Sequence, residues 1–416
     1  MRHEAGAEEV ALVLAVLAGL ALAADPSSAG SVESYVSTAL ANHPEIAAQR
    51  AAWQASVERI PGTRTLPEPR VSVGGFVQSV ETRVGPQQVR VGVQQAIPWP
   101  SKLVQSGKAA SSEADAAELS VDASERQVRE RVQLAYWALW QVREQQNLRS
   151  EHLAILEGLA DTVRGRVEVG QASLADLQQV ELSRSRLEDA LASLDAEEEA
   201  RIAQLRAAVG EDVDAAPTTA EPTLSGLPEG ALSATTHPRL RALDAMATSA
   251  EHQARAAAGQ RLPDVTVGAD WIATGPARMD GVSDSGKDAV MVGLGLKVPL
   301  WQGTYGHDVA AAHRMEESLR ARRRAEEDQL QAAVETAVVR VRDSARRVEL
   351  VEQTLLPQAQ ASYEAVLGEY AVGRAQVSQT LLAQRDLLDL AVERVVAQAN
   401  HRMQWARLTS LTGVLP

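Results

Sequence analysis

The chain has 416 residues, of which 45% are apolar but only one is Phe, and its formal net charge is −14. An acidic chain without a basic domain gives little support to a nucleic-acid role, and the lack of Cys excludes disulfides and thiolate metal sites. Sequence rich in Ala, Val, Leu, Gln, Glu and Arg favours long, closely packed helices over a thick aromatic core.

In chain order, residues 1–24 read as a signal peptide. Val10 to Ala23 is a continuous apolar run, short for a membrane-spanning helix, with small residues at Ala21, Ala23 and Ala24. No later stretch suits a transmembrane helix. From there the sequence repeats itself once, with a period of about 200 residues. Residues 25–210 form the first repeat and 235–416 the second. Between them, 211–234 is a linker holding Pro217, Pro222 and Pro228. Asn42-His43-Pro44 returns as Thr236-His237-Pro238, and Ile97-Pro98-Trp99 as Val298-Pro299-Leu300-Trp301. Val167-Glu168-Val169-Gly170 returns as Tyr370-Ala371-Val372-Gly373.

Each repeat reads as helix, strand, strand, long helix, turn, helix. The first helices are predicted over Val32–Ile60 and Pro238–Arg261, ended by Pro61-Gly62 and Pro263. Long helices follow over Lys102–Val167 and Tyr305–Gly368, with Pro357 expected to kink or break the second. Returning helices run over Leu174–Ala208 and Gln376–Leu411. A long helix of about 65 residues spans roughly 100 Å. A compact domain cannot bury that length, so a coiled-coil partner or a closed ring of helices is required.

Between the first and long helices, alternation of period two marks strands at Val71–Val77, Val89–Val93, Val265–Trp271 and Val290–Val298. Extended into the residues that flank this alternation, each strand is expected to reach about 9 to 11 residues, enough to cross a bilayer at a tilt. The loops Ser79–Gln88 and Thr274–Asp288 are polar. Four strands are too few to close a transmembrane barrel, and their edges must be satisfied in lipid, so copies must pool strands. A soluble hairpin domain gives the same alternation, but two hairpins at matching places between long helices favour a mixed α/β membrane protein as the fold class.

No catalytic constellation emerges. His43, His152, His237, His252, His307, His313 and His401 are scattered and follow no zinc-ligand spacing. The basic run Arg320, Arg322, Arg323 and Arg324 is flanked by Glu316, Glu317, Glu326 and Glu327, and reads as a solvated helix face. The chain is read as a non-enzyme with neither cofactor nor metal site.

In this order, twice, the landmarks resemble the outer membrane efflux family of TolC-like channels, over about Val32 to Gly413. The most specific motifs are the turns Val167–Asp176 and Tyr370–Gln379. The resemblance implies a homotrimer whose protomers each give four strands to a transmembrane β-barrel set in outer-membrane lipid. Their helices would build a long α-helical barrel, so that most of the mass lies in the periplasm. It implies tips at Gly170, Ser173, Gly373 and Gln376 that dock a periplasmic adaptor (membrane fusion) protein, coupled to a proton-driven inner-membrane pump. The chain would then be a passive exit duct for small solutes or metal cations, the general look being closest to the heavy-metal and cation branch.

The residues at the tips agree with this physically. Gly170 and Gly373 permit left-handed backbone, and Ser173 can cap the following helix. In the family, aspartates beyond the second tip constrict the mouth. The matching positions here are Gln379 and Leu382, so that acidic gate is absent or changed. Asp176 holds the corresponding place in the first tip, as an acidic ring in three copies or as an ordinary helix-surface residue. Two other readings stay open: the same architecture serving type I protein secretion, and a soluble periplasmic coiled-coil scaffold.

Overall fold

The computed structural model describes residues 31–78, 80–214, 227 and 232–414. The signal peptide and most of the linker read from the sequence lie outside the described residues.

Ser31 caps α1 (Val32–Asn42), its side chain accepting from the Ser34 N–H at 3.2 Å. His43 then leaves helical geometry at φ −62°, ψ 126°, and α2 (Pro44–Arg64) starts afresh. The single helix expected over Val32–Ile60 is therefore two, because the residue before a proline is disfavoured in the α conformation. α2 also runs through Pro61 instead of ending there. Pro61 falls in the last turn, where the Thr63 and Thr65 hydroxyls donate to the carbonyls of Ile60 and Pro61 at 2.7 and 2.8 Å.

The strands are β1 (Arg70–Gly75), β2 (Glu81–Thr82), β3 (Gly85–Ile97), β4 (Asp264–Thr274) and β5 (Ala289–Lys297). They form one antiparallel sheet in the order β1-β3-β4-β5, with β2 paired to the start of β3. β1 is shorter and β3 longer than alternation predicts, at 6 and 13 residues. The extension of β3 has a long-range cause: the Gly275 N–H donates to the Pro86 carbonyl at 2.8 Å. Gly85, at φ 135°, gives the chain room to approach, since a Cβ there would meet the Gly275 carbonyl oxygen.

The remaining helices are α3 (Pro100–Glu168), α4 (Leu174–Val209), α5 (Pro238–Gly259), α6 (Gln302–Leu350), α7 (Leu356–Ala371) and α8 (Val377–Thr412). A π-helical segment, Val351–Leu355, joins α6 to α7. The disturbance expected at Pro357 thus takes the form of a π segment just before it. Pro357 has no N–H to donate back along the helix, and a π register tolerates that gap.

The described residues fall into two compact units that interleave along the chain. One takes those of Met1–His43, Val128–Ser225 and Asp343–Ala406. It is wholly helical, and Tyr35, Tyr136, Trp137 and Trp140 form a chain of ring contacts at 5.9, 5.1 and 5.8 Å. The Tyr35 hydroxyl donates to the Asp214 carbonyl at 2.7 Å, and burial pushes its pKa up. The other unit takes those of Pro44–Gln127, Gly226–Arg342 and Arg407–Pro416, and holds the sheet. Its helical part packs Ala234, Leu240, Leu330 and Val334 together, and seats the Ser249 hydroxyl on the Ala109 carbonyl at 2.9 Å.

Candidate functional site

The helical unit gathers the tip residues picked out in the sequence. At the first tip, Gly170 stands at φ 72°. The Gln171 N–H donates to the Arg166 carbonyl at 2.7 Å and the Gly170 N–H to the Val167 carbonyl at 3.0 Å. At the second tip Gly373 stands at φ 76°, with Arg374 donating to Glu369 at 2.8 Å and Gly373 to Tyr370 at 3.1 Å. Both are Schellman turns, in which the left-handed residue after the helix lets two N–H groups close on its last carbonyls.

The starts of the next helices differ in chemistry. Ser173 accepts from the Asp176 N–H at 3.1 Å, while the Asp176 carboxylate accepts from the Ser173 N–H at 3.0 Å and from its hydroxyl at 2.7 Å. This is a complete capping box, and it commits the Asp176 carboxylate to the helix end. In the second tip only half the box exists: the Gln376 N–H donates to Gln379 Oε1 at 2.9 Å.

The two tips pack on each other. Ala160, Val163, Val180, Tyr370 and Val377 form one buried cluster, with Leu177 and Leu381 against it. The Arg166 guanidinium lies 4.4 Å from the centre of the Tyr370 ring and donates to the Tyr370 carbonyl at 3.3 Å. Beside this contact runs an open groove of about 340 Å³ lined by Ile155, Leu159, Tyr363 and Leu367. Sequence reasoning missed the apolar surface at the tips. Val169, Leu174, Val372 and Leu382 are all exposed. The signal was present in the Val-Gly pairing common to both turns.

The sheet offers a second surface. Register places Val71, Val73, Val89, Val91 and Val93 on one face with Val267, Trp271, Val290, Val292 and Leu294. Most of these are exposed, Leu294 by 80% and Val292 by 74%. Contiguous exposed apolar surface of this kind marks a surface that meets a partner or a membrane. Trp99 and Trp301, just past β3 and β5, are also exposed. The opposite face is polar. At its middle Arg90 holds Asp270 through two bonds of 2.9 Å.

Among the described residues no cluster of His, Cys, Asp or Glu is placed to hold a metal ion. None of their helices is long and apolar enough to cross a membrane.

Comparison with known proteins agrees with this geometry. A family model described as outer membrane efflux protein matches residues 35–211 and 232–414. The outer membrane efflux protein BepC of Brucella suis is 27% identical over 273 residues, which is 64% of this chain and 58% of BepC. The chain therefore matches less than two thirds of that relative's length. Among solved structures, the outer membrane protein VceC of Vibrio cholerae is 20% identical with a TM-score of 0.74, covering 92% of this chain and 96% of VceC. The open state of the MtrE outer membrane channel of Neisseria gonorrhoeae gives 16% and 0.76, covering 92% and 88%. These structures share its fold.

Proposed function

The chain belongs to the outer membrane efflux protein family, and from that premise we propose that it is the outer-membrane duct of a tripartite efflux system. It resides in the outer membrane. The observation that carries the duct reading is the sheet. Its apolar face is exposed across all four long strands, and its edge strands β1 and β5 each lack a partner on one side among the described residues. In lipid an open edge leaves backbone N–H and C=O groups unsatisfied, at a cost of several kcal/mol each. Closure by further copies removes the edges. Three copies supply twelve long strands, a number that suits a barrel with an open lumen. Trp99 and Trp301 then sit at one rim, where aromatic rings anchor a barrel to the bilayer interface.

The tips at Gly170, Ser173, Gly373 and Gln376 are the docking end for a periplasmic adaptor, which links the duct to a proton-driven inner-membrane pump. Exposed Val169, Leu174, Val372 and Leu382 give that partner apolar surface to cover. Gln379 and Leu382 flank the mouth, and Asp176 contributes charge there only from within its capping box. Energy comes from the pump; the duct passes small solutes or metal cations by diffusion.

Single-channel recording of the detergent-purified protein in a planar bilayer tests this. Stepwise, reproducible conductance from an oligomer is expected. A protein that stays soluble without detergent, remains monomeric and never inserts would overturn the duct reading.

A further inference from the structure

The polar face of the sheet carries a charge pattern that deepens the duct reading and rests on it. The four long strands contain five charged residues: Arg70, Arg90, Asp264, Asp270 and Lys297. Register and alternation put all five on the face opposite the valines. If the apolar face meets lipid, these five charges face the lumen.

Both carboxylates on that face are engaged. Asp264 receives Lys102 Nζ at 2.6 Å, from the first turn of α3. Asp270 is gripped by Arg90, and the two are unequally covered: the Asp270 side chain is 7% exposed and that of Arg90 46%. The pair therefore turns its positive end outward. Arg70 and Lys297, both exposed, have no ion-pair partner among the described residues. The same face carries Gly74, Gly92, Gly268, Gly293 and Gly295, so little side-chain bulk stands in front of the cations. Gly92 is needed for the pair itself, since a Cβ there would stand 2.2 Å from Asp270 Oδ1.

We propose that this face is an anion-preferring stretch of the passage, with Arg90 presented by Asp270 at its centre and Arg70 and Lys297 as its free cations. The preference is local and opposite in sign to the whole chain, which carries −14. Fixed charges act over about 8 Å at physiological ionic strength. In an oligomer the cations recur in every copy around one lumen, and rings of like charge set the sign of the favoured ion. Of the two cargo classes proposed above, this segment favours small solutes, anionic ones most, over metal cations.

The test is the reversal potential of the reconstituted oligomer across a KCl gradient, at about 0.1 M or below so that screening stays weak. The R70Q/K297Q variant removes the two free cations at exposed strand ends and leaves both ion pairs intact. It is expected to lower the chloride-to-potassium permeability ratio by about two-fold or more. Asp270→Asn uncouples Arg90 from its counter-charge and is expected to raise the ratio. Normal conductance steps in R70Q/K297Q with an unchanged ratio would overturn the proposal. A wild-type protein that never conducts sinks the duct reading itself, and that result is read before any ratio is measured.

Discussion

The two helical tips are built on one backbone plan and different side chains. Gly170 and Gly373, Ser173 and Gln376, and Asp176 and Gln379 are each 203 positions apart. The Schellman closure is the same at both. The first tip then starts its returning helix with a full capping box, and the second with half of one. What the two tips share is the left-handed glycine. The polar groups three and six positions later differ, because a cap needs only an acceptor within reach of an N–H.

The largest effect is expected where the tips agree. Gly170→Val and Gly373→Val each place a β-branched residue at positive φ, with open space around the new Cβ. The cost is conformational, about 2 kcal/mol, and equal at both tips. Thermal unfolding followed by circular dichroism in detergent checks it, and unequal shifts break the equivalence.

A smaller effect is expected where the tips differ. Ser173→Ala loses the capping oxygen and costs about 1 kcal/mol. Gln376→Ala is close to neutral in the same melt, because its bond runs from the backbone N–H to Gln379 and survives truncation. Next comes the contact that joins the tips. Arg166→Ala removes the guanidinium from the Tyr370 ring and costs about 0.5–1 kcal/mol. Limited proteolysis at the turns should quicken at both tips together, since the arginine belongs to one and the ring to the other.

At neutral pH the smallest effect belongs to His237, the counterpart of His43 in the second half of the chain, and it grows only in acid. His237 is buried and caps α5, its Nδ1 accepting from the Arg239 N–H at 3.2 Å. Burial, with Arg126 and Arg239 nearby, lowers its pKa to about 4. The folded state thus resists a proton that the unfolded state takes up near 6.5, so stability is full above about pH 6.5 and is lost as pH falls toward 4. His237→Asn keeps a capping acceptor without titrating there, and the difference between melts at pH 7.5 and 5 should shrink in the variant.

Local signals in the sequence carried much of this fold. Alternating valines located the sheet's apolar face, and Val-Gly marked both tips. β2 left no signal, because two residues are too few to alternate. The break at His43 was written in His43-Pro44, but the helical composition on both sides hides it. Arg90 and Asp270 lie 180 positions apart, so nothing nearby in the chain joins them. The same holds for Arg166 and Tyr370, 204 positions apart. Pairings of that kind follow from strand register and helix packing, which the sequence specifies only through the completed fold.

The π segment bears on how the two long helical runs match in length. α3 has 69 residues between Trp99 and the first tip. Its counterpart between Trp301 and the second tip is made of runs of 49, 5 and 16 residues, 70 in all. One residue of extra chain separates the two runs, and a π turn is how a helix takes up a single surplus residue without losing its ends. Val351–Leu355 absorbs that residue within one turn, and Tyr370 and Val377 of the second tip still come against Val163 and Val180 of the first.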